Sequence, residues 1–240
     1  MAAWLGHEPA QVALGRRARG REALRQAGHE VCVRVALAGA RAALKRWGGE
    51  PPPEVVAGVA AIEAWLACPC AAHAAACREA EDSVGPLGAR LLGEVDVDAP
   101  DADADDVSAR LDVAERRSQV TLTVFQAALA VRAPLESGPG LPAPVSEIAF
   151  GALRSAAGAE ASAARADAPP GPSDEAARRM IEPFLGGGHG PREGRGRPRD
   201  AVDEEIERYG AALAAFEAAC GARVQAEVRA ALVPWLLGAP

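Results

Sequence analysis

Apolar residues recur along much of this chain at three- and four-residue steps, and those steps predict helices. Leu24, Val31, Val35, Leu37 and Leu44 form an imperfect 3.6-residue stripe across residues 22–47. Gly48-Gly49 ends that stripe, and Pro51-Pro52-Pro53 stiffens the connection that follows. Val55, Val59, Ile62 and Leu66 then mark one face of a second helix over 54–67. Pro69 suits the first turn of a third, running to about residue 84, because a missing N–H costs nothing at that position. Further helices are predicted over about 107–131, 145–165 and 173–185, the last with Ser173 as its N-cap. The final one covers about 200–232, where Leu213, Phe216, Cys220, Val224 and Val228 lie at helical spacing. A short helix over 9–20, carrying an arginine run read as a solvated face, completes the set.

Two segments break the periodicity. Residues 94–106 hold Glu94, Asp96, Asp98, Asp101, Asp103, Asp105 and Asp106, and like charges at that density predict an exposed linker. Residues 186–199 are rich in Gly and Arg, with little to bury, and read as a mobile loop. The expected architecture is all-α: six to eight Ala-rich helices in a two-lobed bundle, residues 1–93 and 107–240, joined by the acidic linker 94–106.

Composition sharpens this picture. Of the 240 residues, 58 are Ala and only 4% are aromatic. Ala is the best helix former, and strand formers are scarce. Such cores bring backbones close together and bury little area per residue, so the large side chains Trp47, Trp65, Phe125, Phe216 and Trp235 are expected to act as anchors. A net charge of −7 argues against general binding to nucleic acid or anionic membranes. No apolar run reaches the roughly 18 residues of a membrane-spanning helix. The first residues lack a basic stretch followed by an apolar one, so no secretory leader is predicted. The odd cysteine count, five with three clustered, does not suit a disulfide framework, and a cytoplasmic setting with reduced thiols is expected.

The densest chemistry is Cys68-Pro-Cys70-Ala-Ala-His73-Ala-Ala-Ala-Cys77. With Pro69 in the first helical turn, Cys70, His73 and Cys77 fall on one face, and Cys68 can fold back toward them. Three or four N/S ligands converging in this way suit tetrahedral zinc. The spacing is not a paired C-x2-C pattern, and the competing reading is a set of small residues packed on an Ala-lined face. That packing reading leads, and no bound cofactor is expected. Asp101-Ala-Asp103-Ala-Asp105-Asp106, with Asp112 twelfth, approximates a calcium loop, but Asp106 stands where the turn requires Gly and Asp112 where a bidentate Glu is usual. A solvated acidic segment accounts for it better. His189, Arg192, Arg195, Arg197 and Arg199 could meet phosphates, but no aromatics are interleaved for base stacking. The chain has no H-E-x-x-H or G-x-S-x-G, and nothing in the pattern nominates catalytic residues.

Three stretches carry a family likeness: Cys32-Val-Arg-Val-Ala-Leu-Ala-Gly-Ala-Arg-Ala-Ala-Leu44, then Val59-Ala-Ala-Ile-Glu-Ala-Trp65 after the Pro-rich connection, and Ala72-His-Ala-Ala-Ala-Cys-Arg-Glu-Ala80. Over about residues 31–80 the chain resembles the all-helical immunity proteins of bacterial polymorphic toxin systems. The resemblance implies a cytoplasmic binder that neutralises a toxin and needs no catalytic residues. Together with the negative charge, it leads to the expectation of a non-catalytic interaction module with a basic protein partner. The alternative is a zinc-binding metalloprotein or metal-dependent enzyme using Cys68, Cys70, His73 and Cys77.

Overall fold

The computed structural model describes residues 22–95, 104–135, 143–185 and 200–237. The predicted helix at 9–20, the Gly/Arg loop at 186–199 and the centre of the acidic segment at 96–103 lie outside the described residues. Among the described residues the protein is all-α, with no strand. A helical turn at 22–27 leads into α1 (His29–Leu44), α2 (Pro53–Ala67), α3 (Ala71–Gly93), α4 (Ala104–Ala130), α5 (Val145–Ala163), α6 (Asp174–Leu185) and α7 (Ala201–Leu236), with a short 3₁₀ turn, Arg165–Asp167, after α5. No described helix is long and apolar enough to cross a membrane.

The helix predicted over 22–47 is interrupted at Gly28, whose φ of 91° lies in the left-handed region and turns the chain before α1 begins. Helix α3 runs a full two turns past the predicted end, with Pro86 inside it on the solvent side. Helix α4 starts within the acidic segment at Ala104, so the predicted linker is shorter than its charge pattern suggested. Ser173 caps α6, its Oγ accepting from the Ala176 N–H at 3.4 Å.

Helix α4 is the axis of the structure. It packs against α1, α2, α3 and α5 and buries Val120, Thr121, Thr123, Val124 and Ala127. The two threonine hydroxyls are satisfied within the helix, donating to the Ser118 and Gln119 carbonyls at 2.8 and 2.7 Å. Helices approach α4 closely because small residues face it. A Cβ at Gly58 would lie 2.9 Å from Val124 Cγ1, and one at Gly88 would lie 2.8 Å from Thr121 Oγ1. Residues on both sides of the acidic segment, from Val33, Ile62 and Val84 to Val120, Ala149 and Val224, share one hydrophobic cluster.

The core is aliphatic rather than aromatic. Of the five expected anchors only Trp47 is buried; Trp65, Phe125, Phe216 and Trp235 are half-buried, and the largest fully buried side chain is Ile62. Helices spaced by Ala leave no room for whole rings between them, so the rings lie along the edges. Helix α7 illustrates how thin the packing is: in 36 residues it buries only Gly210, Cys220, Val224 and Val228.

Candidate functional site

The Cys/His cluster forms where α2 gives way to α3. A residue preceding proline is disfavoured in the helical region, and Cys68 is extended at φ −148°, ψ 94°. Pro69 therefore stands outside α3, before its N-cap, and not in the first turn as its helix-starting preference suggested. Cys70 is that N-cap, also extended, and its N–H closes a tight turn onto the Cys68 carbonyl at 2.7 Å. One turn into α3, His73 Nδ1 lies 2.8 Å from the same carbonyl and 3.5 Å from Cys70 Sγ. The carbonyl contact assigns the Nδ1 proton and fixes the ring across the mouth of the turn.

The Cys68 and Cys70 sulfurs and a His73 ring nitrogen all lie within 4.8 Å of one another. Cys68 is exposed, and Cys70 and His73 are half-buried, so the group opens to solvent. Cys77 does not join it. That thiol is 1% exposed among core residues, and burial pushes it up to about 11. The four-residue set of the zinc alternative is thus reduced to three. The reason is geometric: Cys70 is a non-helical cap, so counting seven residues at 100° per residue from it does not predict the direction of Cys77.

The two exposed thiols differ in acidity. Cys70 is lowered, chiefly by the backbone N–H of His73, with the Cys68 thiol and the Ala72 N–H adding to the effect against desolvation. Cys68 is raised, first by its hydrogen bond to Cys70. Cys70 is therefore the more acidic of the two. A thiolate at a helix N-terminus beside a second thiol and an imidazole can ligate a soft metal ion or act as a nucleophile. Elsewhere, burial raises Cys32 to about 11 and raises Cys220.

The calcium-loop reading fails on the described part of the loop: residues 104–112 are helical, and the Asp112 carboxylate faces Arg165 at 3.7 Å. A helix cannot wrap its carboxylates around one ion as a loop does.

Sequence reasoning missed a second polar centre. Arg46, just past the end of α1, donates through Nε to Glu160 of α5 at 2.6 Å and through its terminal nitrogens to Glu227 of α7. Arg223 of α7 donates to the other Glu160 oxygen at 2.5 Å, and Lys45 donates to Glu227 at 2.9 Å. Burial pushes Glu160 up, but hydrogen bonds from Arg46 and Arg223 outweigh it and the net direction is down. Glu227 is held at about 2, first by Arg46 and then, against burial, by Lys45. The paired residues lie 63 to 182 positions apart, and each alone reads as an ordinary surface charge. The one local signal was the Lys45-Arg46 pair at a helix C-terminus, where cations meet free carbonyls.

Comparison with known proteins finds no family model, no curated protein and no solved structure that matches this chain.

Proposed function

We propose that this chain is a binding protein whose reactive element, Cys68, Cys70 and His73, holds a zinc ion. The observation that supports this reading is the convergence of three ligand atoms within 4.8 Å at a solvent-open helix start. Zn–S and Zn–N bonds of about 2.3 and 2.0–2.1 Å place tetrahedral ligands roughly 3.5–3.8 Å apart. The Cys70–His73 pair already meets that at 3.5 Å, and rotation of the exposed Cys68 side chain closes the rest. Binding through Nδ1 would move its proton to Nε2 and give up the bond to the Cys68 carbonyl, a net cost of about 1 kcal/mol. The fourth position would face solvent. A cytoplasmic setting, where thiols stay reduced, belongs to the same proposal.

Zinc per chain, measured by elemental analysis after stripping and reloading, tests this directly. The expected result is one zinc, with affinity reduced roughly tenfold or more in Cys70→Ser and in His73→Ala and unchanged in Cys77→Ala. Substoichiometric zinc in the unaltered chain, or equal retention by Cys70→Ser, would overturn it.

A second reading, the non-catalytic interaction module with a basic protein partner such as a toxin, is favoured by the net charge of −7 and by Val233, Leu236 and Leu237, which stand exposed at the end of α7. The resemblance over residues 31–80 points the same way. Co-purification from the native host, with the captured protein identified by mass spectrometry, tests it; recovery of no specific basic protein would count against it.

A further inference from the structure

Among the described residues, the polar centre between α1, α4, α5 and α7 contains a cation that the fold does not pair, Arg116. An open basin of about 440 Å³ is lined by Lys45, Arg46, Arg116 and Arg223 together with Glu160 and Asp167. Arg46 and Arg223 are matched by Glu160, and Lys45 and Arg46 by Glu227. The carbonyls at the end of α1 are also served: Arg46 donates to Ala42 O at 2.9 Å, and the neighbouring Arg117 donates to Gly48 O at 3.1 Å. Among the described residues, ion pairing and helix capping therefore engage each basic side chain lining the basin except Arg116.

Arg116 makes no hydrogen bond or ion pair among the described residues, although its Nε is buried. A buried donor without an acceptor costs about 1–3 kcal/mol, and native proteins leave few of them. Its guanidinium lies directly over Gly48, where a Cβ would come within 2.8 Å of Nη2. Gly48 adopts a φ of 72°, so the turn both needs glycine and leaves the guanidinium its space. The result is a planar fork of donors at a basin whose other cations are already held rigid by carboxylates. A phosphoryl group matches that fork in shape and charge.

We propose that this basin binds the phosphoryl group of a small phosphorylated molecule, with Arg116 as the receiving guanidinium and Lys45 and Arg223 flanking it. Asp167, exposed on the rim, opposes the bound charge and sets an upper limit on affinity. This site is independent of the proposed zinc site, whose ligands lie on other residues.

Isothermal titration of the full chain with inorganic pyrophosphate and with inorganic phosphate, at low ionic strength, tests the proposal. One site is expected. Arg116→Gln should weaken it by roughly tenfold or more, as expected for loss of a charge-assisted bond. Asp167→Asn should tighten it by about threefold, and Arg110→Gln, the same charge change on an exposed residue of α4, should leave it within about twofold. Circular dichroism establishes that each variant folds, and the Arg116 Nε–H resonance of the unaltered chain should shift on titration without any variant. Absence of binding at millimolar probe, or equal weakening by Arg116→Gln and Arg110→Gln, would overturn the assignment and leave only a diffuse response to net charge.

Discussion

Replacing Glu160 by Gln should release α7 from the bundle before anything else opens. Helix α7 is held by a narrow seam in which only Cys220, Val224 and Val228 bury side chains. At about 1.5–2 kcal/mol each, these contribute about 5 kcal/mol. Leu232 packs partly buried against the same core and the Arg34 guanidinium lies over Trp235; the rest of the attachment to α1 and α5 is ionic, and Glu160 is at its centre, 8% exposed and accepting from both Arg46 and Arg223. Gln keeps the shape but removes the charge and offers one acceptor where two carboxylate oxygens had been. Net hydrogen bonds to charged groups are worth about 1.5–3 kcal/mol, and breaking a fully buried pair costs about 3–5. The Arg223 side chain is half open to solvent, at 49%, which lowers the expected loss to about 2–3 kcal/mol. That is close to half of what the apolar seam provides.

Amide hydrogen exchange resolves where the loss falls. At about 1.4 kcal/mol per factor of ten, protection across residues 210–232 should drop by roughly 30–150-fold. Protection at the centre of α4, around Val120 and Val124, should stay within about threefold because its burial does not involve Glu160. A uniform loss across α4 and α7 would refute the idea that α7 opens as its own unit. A change in α7 smaller than about threefold would show that the Glu160 pairs behave as surface pairs and contribute little.

Acid should weaken the same attachment. Glu160 is lowered and Glu227 sits at about 2, against 4.5 for a free carboxyl; the stabilisation from both is therefore present above about pH 4.5 and declines in acid, that from Glu227 being lost as pH falls through about 2, because the unfolded chain takes up protons first. Thermal unfolding between pH 6 and 2.5 should show this decline, and Glu227→Gln should flatten it. Gly58→Ala places a methyl 2.9 Å from Val124 Cγ1; overpacking of about 1–3 kcal/mol outweighs a helix-propensity gain of about 1, for a net loss near 1 kcal/mol in urea unfolding. Cys77→Ser buries a hydroxyl in an apolar site and should cost about 1–3 kcal/mol while leaving zinc binding intact, separating the core thiol from the exposed pair.

Helix positions were legible wherever burial follows a local period. The stripe Val55, Val59 and Ile62 is buried as its spacing predicts, and Cys220, Val224 and Val228 form the inner face of α7. Ends were less legible, because they depend on tertiary support. Pro86 normally ends a helix, yet α3 continues through it: the Leu87 and Gly88 that follow are already packed inside. The start of α4 was placed by the acidic residues expected at its positive end, and the helix begins at Ala104, about one turn before the predicted 107.

The candidate sites divide along the same line of reasoning. Cys68, Cys70 and His73 could be read from spacing alone because a six-residue turn brings them together whatever the rest of the chain does. Cys77 could not be placed that way. Its direction depends on where α3 begins, and moving Cys70 from the helix to the cap turns the fourth thiol into the core. The basin around Arg116 was invisible in principle. Its residues come from the segment just past α1, from α4, from α5 and the turn after it, and from α7, and no local pattern distinguishes Arg116 from Arg117 beside it. Only the packing shows that Arg117 is engaged with the Gly48 carbonyl while Arg116 is not, so an unmatched charge of this kind can be recognised only after every neighbouring charge has been assigned its partner.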